Sequence, residues 1–235
     1  MERPAFSFAD SLAGNPIIAA VMEPEGLDRA LDSDCGVIFL LCGDICTIGP
    51  LAARVSGRGK ALFIHADLVD GLAGREVAVD FIRENTGAAG IISTKPSLIR
   101  RAREVGLSTV QRFFLIDSLA LHNVRRLLAP EQRQFRPDVV EILPGAMPKV
   151  LRQLTAFSPV PVIAGGLIHD KEDVIAALDA GAAAISSTVW PSASSPADKS
   201  MMRLIGNSSF FPPVKKSPAA PIFQGRPGLA MRIKL

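Results

Sequence analysis

Eight β-rich segments recur along the chain at intervals of about 20 to 30 residues, the spacing of a strand, a turn and a returning helix. They fall at 17–21, 37–41, 61–65, 90–94, 108–114, 139–143, 161–164 and 182–186. Several are near-continuous apolar runs, as expected of parallel strands covered on both faces. The stretches between them carry helix punctuation. Asp117 is placed to cap a helix bearing Leu119, Leu121, Val124 and Leu128, with Arg125 and Arg126 at the end where the helix dipole favours cations. Pro148 suits the first turn of a helix over 149–154, and Asp170 and Gly181 bracket another that carries Asp173, Val174 and Leu178. Eight such units predict an α/β fold, a single compact TIM-like (β/α)8 barrel. An open, doubly wound sheet of six strands is the alternative if two segments are not strands.

The rhythm stops after Trp190. Residues 191–235 hold seven prolines interleaved with Ser, Gly and Lys. The expectation is a barrel at 1–190 and a Pro/Ser-rich basic tail at 191–235 that stays disordered. Charge divides at the same place, with 19 basic and 22 acidic side chains up to Trp190 and seven and one beyond it. The net charge of +3 therefore reflects the tail and does not describe a globally basic body.

No apolar run reaches the roughly 18 residues that a membrane span requires. The first ten residues lack the basic start and apolar stretch of a secretory signal. A cytoplasmic protein is expected. Cys35, Cys42 and Cys46 are odd in number, form no CxxC pair and have no nearby histidine, so they are read as packing residues of the core or wall.

Polar residues collect where the strands end. Glu23, Gly43-Asp44, His65 with Asp67, Thr94-Lys95, Gln111-Arg112, Glu141 with Pro144-Gly145, Gly165-Gly166 and Ser186-Ser187-Thr188 all fall there. Barrel ligands bind at this face, and phosphate is usually held by the loops after strands seven and eight. Glycines at 165 and 166 let an anion approach backbone N–H groups, and a helix start after strand eight would aim its dipole at the same point. Lys95 and Arg112 could neutralise a phosphate, or pair with Asp67 and Glu141 inside the mouth. His65 and Asp67 are expected on one strand face. Three carboxylates, Asp44, Asp67 and Glu141, could gather a metal only if the fold drew them together, and none is expected.

In order along the chain, NPIIAAV at 15–21, FLLCGD at 39–44, HADL at 65–68, GIISTK at 90–95, TVQRFFLIDS at 109–118, VEILPG at 140–145, MPK at 147–149 and IAGGLI at 163–168 resemble the glycerol uptake operon antiterminator regulatory protein family. The resemblance covers about residues 12 to 190 and not the tail. It implies a non-enzymatic regulator of glycerol metabolism that senses glycerol 3-phosphate, needs no cofactor and binds leader mRNA to prevent premature transcription termination. On that reading Gly165, Gly166, Ser186 and Ser187, assisted by Lys95 or Arg112, hold the phosphate. Asp44, His65, Asp67 and Glu141 supply the other polar contacts. The sequence carries no recognised RNA-binding signature; Arg100, Arg101 and Arg103, with Arg125 and Arg126 through Arg133 and Arg136, are the candidate basic patches. A homo-oligomer is compatible with the sequence. The rival readings are a phosphate-binding barrel enzyme (isomerase, lyase or transferase) and a scaffold with a vestigial mouth.

Overall fold

The computed structural model describes residues 6–12 and 14–188. A short helix α1 (Phe8–Leu12) leads into β1 (Ile17–Val21), α2 (Gly26–Asp32), β2 (Val37–Leu40), α3 (Ile48–Ser56), β3 (Ala61–His65) and α4 (Glu76–Asn85). Then follow β4 (Gly90–Ser93), α5 (Pro96–Glu104), β5 (Ser108–Phe114), α6 (Ser118–Leu128), β6 (Val139–Leu143), α7 (Pro148–Phe157), β7 (Val162–Gly165), α8 (Lys171–Asp179) and β8 (Ala184–Ser187). A 3-10 helix, Pro130–Phe135, sits between α6 and β6.

Every strand pairs in parallel with its sequence neighbour, and β1 pairs with β8 through Ile17–Ile185, Ile18–Ser186 and Ala19–Ser187. That last pairing closes the sheet and removes the open-sheet alternative. The tail predicted at 191–235 lies outside the described residues. No helix among the described residues is long and apolar enough to cross a membrane.

The caps formed as the side-chain chemistry demands. Asp117 accepts from the Ala120 N–H at 2.8 Å and Asp170 from the Asp173 N–H at 2.8 Å. Pro148 opens α7, which runs three residues beyond the predicted end. The last strand begins two residues later than predicted, because the Ala182 N–H closes α8 on the Ala177 carbonyl.

Strand alternation divides the apolar residues into two cores. Ile17, Ala19, Val21, Ile38, Leu40, Leu62, Ile64, Val140 and Ile142 face the helices. Ile18, Ala20, Val37, Phe39, Phe63, Ile92, Val110, Val139, Ile163 and Ala184 fill the barrel interior. Its floor is sealed by α1, whose Phe8 ring lies 4.8 Å from that of Phe63, with Phe6 packed edge-on against both. Gly90 makes room for this cluster, since a Cβ there would stand 2.4 Å from the Phe63 ring. Interior apolar packing thus occupies the lower levels and leaves polar residues for the top. One expectation is corrected here. Cys35 is buried and Cys42 half-buried, but Cys46 is exposed, on a turn that leaves the wall soon after β2.

Candidate functional site

The inward parity that places Val110, Val139, Ile163 and Ala184 in the interior brings Arg112, Glu141, Gly165 and Ser186 inward two residues later, at the mouth. Register sets Arg112 beside Glu141 and Gly165 beside Ser186. Glu141 is fully buried and Arg112 nearly so, and the arginine Nε donates to Glu141 Oε2 at 2.6 Å. The Ser186 hydroxyl donates to the other carboxylate oxygen. Gly165 has no alternative at this level, because a Cβ would lie 2.4 Å from Ser186 Oγ and 2.8 Å from Glu141 Oε1. Guanidinium carries five N–H donors in a planar fork. Among the described residues Arg112 donates only through Nε, so both Nη groups remain for an anion at the mouth.

A second cluster comes from β3 and β4. Asp67 accepts from the Thr94 N–H at 2.7 Å, the Thr94 hydroxyl at 3.0 Å and the Ser93 hydroxyl. Burial would raise its carboxyl, but these bonds outweigh burial and hold it below the ordinary carboxylate range. The Lys95 ammonium lies 3.7 Å from Asp67, folded over Gly74, where any side chain would displace it. β3 ends at His65, so Asp67 occupies the following turn and is not a strand-face neighbour as the spacing suggested. His65 Nδ1 is 4.0 Å from Asp67 Oδ2, too far for a hydrogen bond, and it has no hydrogen-bond partner among the described residues. Burial, then the Arg112 charge, push the imidazole down to about 4, so this contact joins a neutral ring to a carboxylate at neutral pH. The two clusters therefore share one interior, since the Arg112 charge reaches His65.

The loop after β7 forms the rim above Gly165. Gly166 has φ +72° and Leu167 φ +56°, two successive left-handed residues. A non-glycine residue rarely holds that conformation outside over-determined turns. The turn is braced from below by Gly145, whose N–H donates to the carbonyls of Gly165 at 2.6 Å and Gly166 at 2.9 Å.

Other predicted positions fall elsewhere. Ser187 faces away from the interior and its hydroxyl donates to the Ile168 carbonyl at 3.3 Å, so it steadies the β7–α8 loop. Asp44 accepts the N–H groups of Cys46 at 2.7 Å and Thr47 at 2.9 Å, the first of which chiefly holds its carboxyl below its usual value. It is a turn-forming side chain beside the mouth. Among the described residues no three His, Cys, Asp or Glu side chains group as a metal site. Arg101 is held by Asp80 at 2.7 Å and Glu104 at 3.1 Å, and Arg103 donates to the Gln134 and Arg136 carbonyls. Sequence reasoning missed Ser93 and Thr94 as the clamp on Asp67, although a Ser-Thr pair at a strand end is a usable signal. A cavity of about 490 Å³ lies at the opposite end of the barrel, between α1 and the loops entering β4 and β5. Asp10 is its sole charged lining residue, so it offers an anion nothing.

A family model described as the glycerol-3-phosphate responsive antiterminator matches residues 17–190. The chain belongs to this antiterminator family. It is 44% identical over 182 residues, 76% of this chain and 93% of the relative, to the uncharacterized protein YgcP of Escherichia coli. The crystal structure of the glycerol uptake operon antiterminator regulatory protein from Listeria monocytogenes is 31% identical with a TM-score of 0.70, covering 80% of this chain and 96% of that one. A glycerol uptake operon antiterminator-related protein from Thermotoga maritima is 36% identical with a TM-score of 0.62, covering 73% and 94%. A deoxyribose phosphate aldolase from Aeropyrum pernix, 18% identical with a TM-score of 0.57 over 76% and 90%, shares the fold alone. Membership of the antiterminator family supports a regulatory role.

Proposed function

We propose that this antiterminator-family barrel senses glycerol 3-phosphate in its mouth and couples occupancy to leader mRNA, regulating glycerol-utilisation genes without turning the ligand over. The observation that carries the reading is Arg112, a nearly buried guanidinium held through Nε alone by Glu141, whose other carboxylate oxygen lies against Gly165. Its Nη groups, Lys95 and the N–H groups of the loop after β7 receive the phosphate, with the Ser186 hydroxyl within the same cluster. Asp67 and His65 Nδ1 accept hydrogen bonds from the glycerol hydroxyls. Phosphate binding competes with Glu141 for Arg112 and so favours one arrangement of the loops after β5 and β6 over another, the differential affinity that a population shift requires.

Catalysis has less to work with. Burial, then the Arg112 charge, hold His65 neutral at neutral pH, so it does not supply an imidazolium as a general acid there. Phosphorus NMR of glycerol 3-phosphate mixed with the protein, followed for hours, tests the reading. A shifted or broadened ligand signal with no new peak is expected. A new resonance growing with time identifies an enzyme, and an unperturbed signal at millimolar concentrations removes glycerol 3-phosphate as the ligand.

A further inference from the structure

Charge is spread unevenly around the barrel. Residues 6–188 contain 18 basic and 21 acidic side chains, of which 118–157 hold six basic and three acidic. The remaining 12 basic and 18 acidic side chains leave the rest of the body net acidic, although α5 is locally basic through Arg100, Arg101 and Arg103, and the longest net-basic stretch is one arc, formed by α6, the 3-10 helix and α7. Its cations are Arg125, Arg126, Arg133, Arg136, Lys149 and Arg152. Of its three acids, Glu141 is sealed in the interior against Arg112. Glu131 and Asp138 remain at the surface, the latter accepting from the Thr109 N–H and hydroxyl, both at 2.8 Å. Neither α6 nor α7 contains an acidic residue.

The arc is continuous. The Arg125 guanidinium lies 5.3 Å from the centre of the Phe157 ring, joining the last turn of α6 to the end of α7. Arg136 donates to the Ala129 carbonyl at 2.7 Å, folding the 3-10 helix against α6. Arg126, Arg133, Lys149 and Arg152 are exposed and make no ion pair among the described residues, in contrast to Arg101. Two phenylalanines stand exposed on the same arc, Phe135 at 46% and Phe157 at 37%. Unpaired cations interleaved with exposed aromatic faces suit a single-stranded polynucleotide, whose backbone meets the charges and whose unstacked bases meet the rings. A duplex keeps its bases stacked and has no use for the rings. The mouth rim suits the same partner less, because Glu23, Glu25, Asp117, Asp170 and Glu172 stand on the loops and first turns after the strands, with Lys95, Lys149 and Lys171 among them.

We propose that the outer face of α6, the 3-10 helix and α7 binds single-stranded RNA, with Arg125, Arg126, Arg133 and Arg152 on phosphates and Phe135 and Phe157 stacking on bases. The assignment rests on the RNA partner proposed above and adds where on the barrel it lies. It also gives the ligand a short route to that face. Arg112 stands on β5, which leads directly into α6, and its partner Glu141 stands on β6, whose loop leads into α7.

The test is ultraviolet crosslinking of the full chain to a pool of random-sequence single-stranded RNA, with and without glycerol 3-phosphate, followed by mass spectrometry of the crosslinked peptides. Retained RNA is then titrated against charge-reversed variants. Crosslinks are expected on peptides carrying Phe135 or Phe157. Arg126→Glu/Arg152→Glu is expected to weaken binding at least about tenfold and to flatten the log–log salt dependence by about 1.4, roughly 0.7 per lost phosphate contact. Arg54→Glu/Arg58→Glu, on α3 and the turn that follows it, leaves both unchanged. Arg126→Gln/Arg152→Gln gives the same direction if reversal disturbs folding. RNA retained with crosslinks elsewhere, and indifferent to Arg126 and Arg152, overturns this surface and leaves the RNA reading standing. No retained RNA with or without ligand overturns both. Polyglutamate competing as well as RNA at equal charge overturns the base-stacking assignment, marking the arc as a site for acidic polypeptide.

Discussion

Replacing Arg112 by methionine keeps most of the side-chain stem and removes the charge that holds Glu141. The carboxylate at 141 is fully buried, and with Arg112 gone its remaining hydrogen bond comes from Ser186. Breaking a buried pair by removing one partner costs about 3–5 kcal/mol, because the other charge stays where water cannot reach it. That is at least about a fifth of the roughly 5–15 kcal/mol by which ordinary domains are stable, and all of it at the low end. Adding Glu141→Leu to Arg112→Met removes the stranded charge, and what remains is an unpartnered Ser186 hydroxyl worth about 1–3 kcal/mol. The double variant should therefore be more stable than Arg112→Met alone, although it carries one more substitution. Urea unfolding followed by circular dichroism measures all four corners of the cycle. Additive single effects, or an Arg112→Met cost below about 1 kcal/mol, would refute the buried-pair argument. The same variant tests the link between the two clusters. His65 is depressed first by burial and second by Arg112, so its titration should move up from about 4 in Arg112→Met while burial keeps it below 6.5. An unmoved His65 titration by NMR would show that the clusters do not communicate.

Three further outcomes follow from named contacts. His65 binds its proton near pH 4 when folded and near 6.5 when unfolded, so its stabilising contribution is complete above 6.5 and is lost as pH falls through that window, by about 3 kcal/mol in all. His65→Leu should flatten the corresponding stretch of a stability–pH curve, and an unchanged slope contradicts the assignment. Gly165→Ala drives a methyl group into Ser186 Oγ and Glu141 Oε1 and should cost about 1–3 kcal/mol together with loss of ligand binding, read by thermal melting and phosphorus NMR. Phe8→Ala opens the barrel floor and should cost about 3–5 kcal/mol while ligand affinity at the opposite end persists in the folded fraction; loss of affinity without loss of stability would sink the separation of floor and site.

Much of the architecture could be read from residues alone because parallel strands buried on both faces spell themselves out as apolar runs. The strands at 17–21, 61–65, 108–114 and 139–143 fall where those runs do. Strand eight starts two residues inside its apolar run because Ala182 and Ala183 look equally apolar in a strand and in the turn that closes α8. At the site, the choice left open for Arg112 and Lys95, ligand contact or pairing with Glu141 and Asp67, depends on register, which strand composition does not encode. The structure shows both pairings, at 2.6 Å and 3.7 Å, and the Arg112 Nη groups make no hydrogen bond among the described residues. Ser186 and Ser187 look interchangeable in sequence, yet one points to Glu141 and the other to the β7–α8 loop. A period-two element gives adjacent residues opposite fates, and a reading that does not fix parity cannot separate them. The basic patches were legible as charge and illegible as availability, since nothing in the sequence says that Asp80 and Glu104 will consume Arg101.

The aromatic floor has a consequence for the order in which the molecule assembles. Phe6 and Phe8 precede every strand, but the rings that receive them, Phe39 and Phe63, belong to β2 and β3, and their place exists only inside a closed cylinder. Closure in turn waits for β8 to reach β1, which are more than 160 positions apart by the Ile17–Ile185 pairing. The earliest described segment of the chain is thus among the last to find its partners, and until then two phenylalanines travel unprotected. Contacts of such long sequence separation are slow to form. A refolding experiment that watches burial at Phe6 and Phe8 should therefore see the slowest event of the pathway in the segment just before β1.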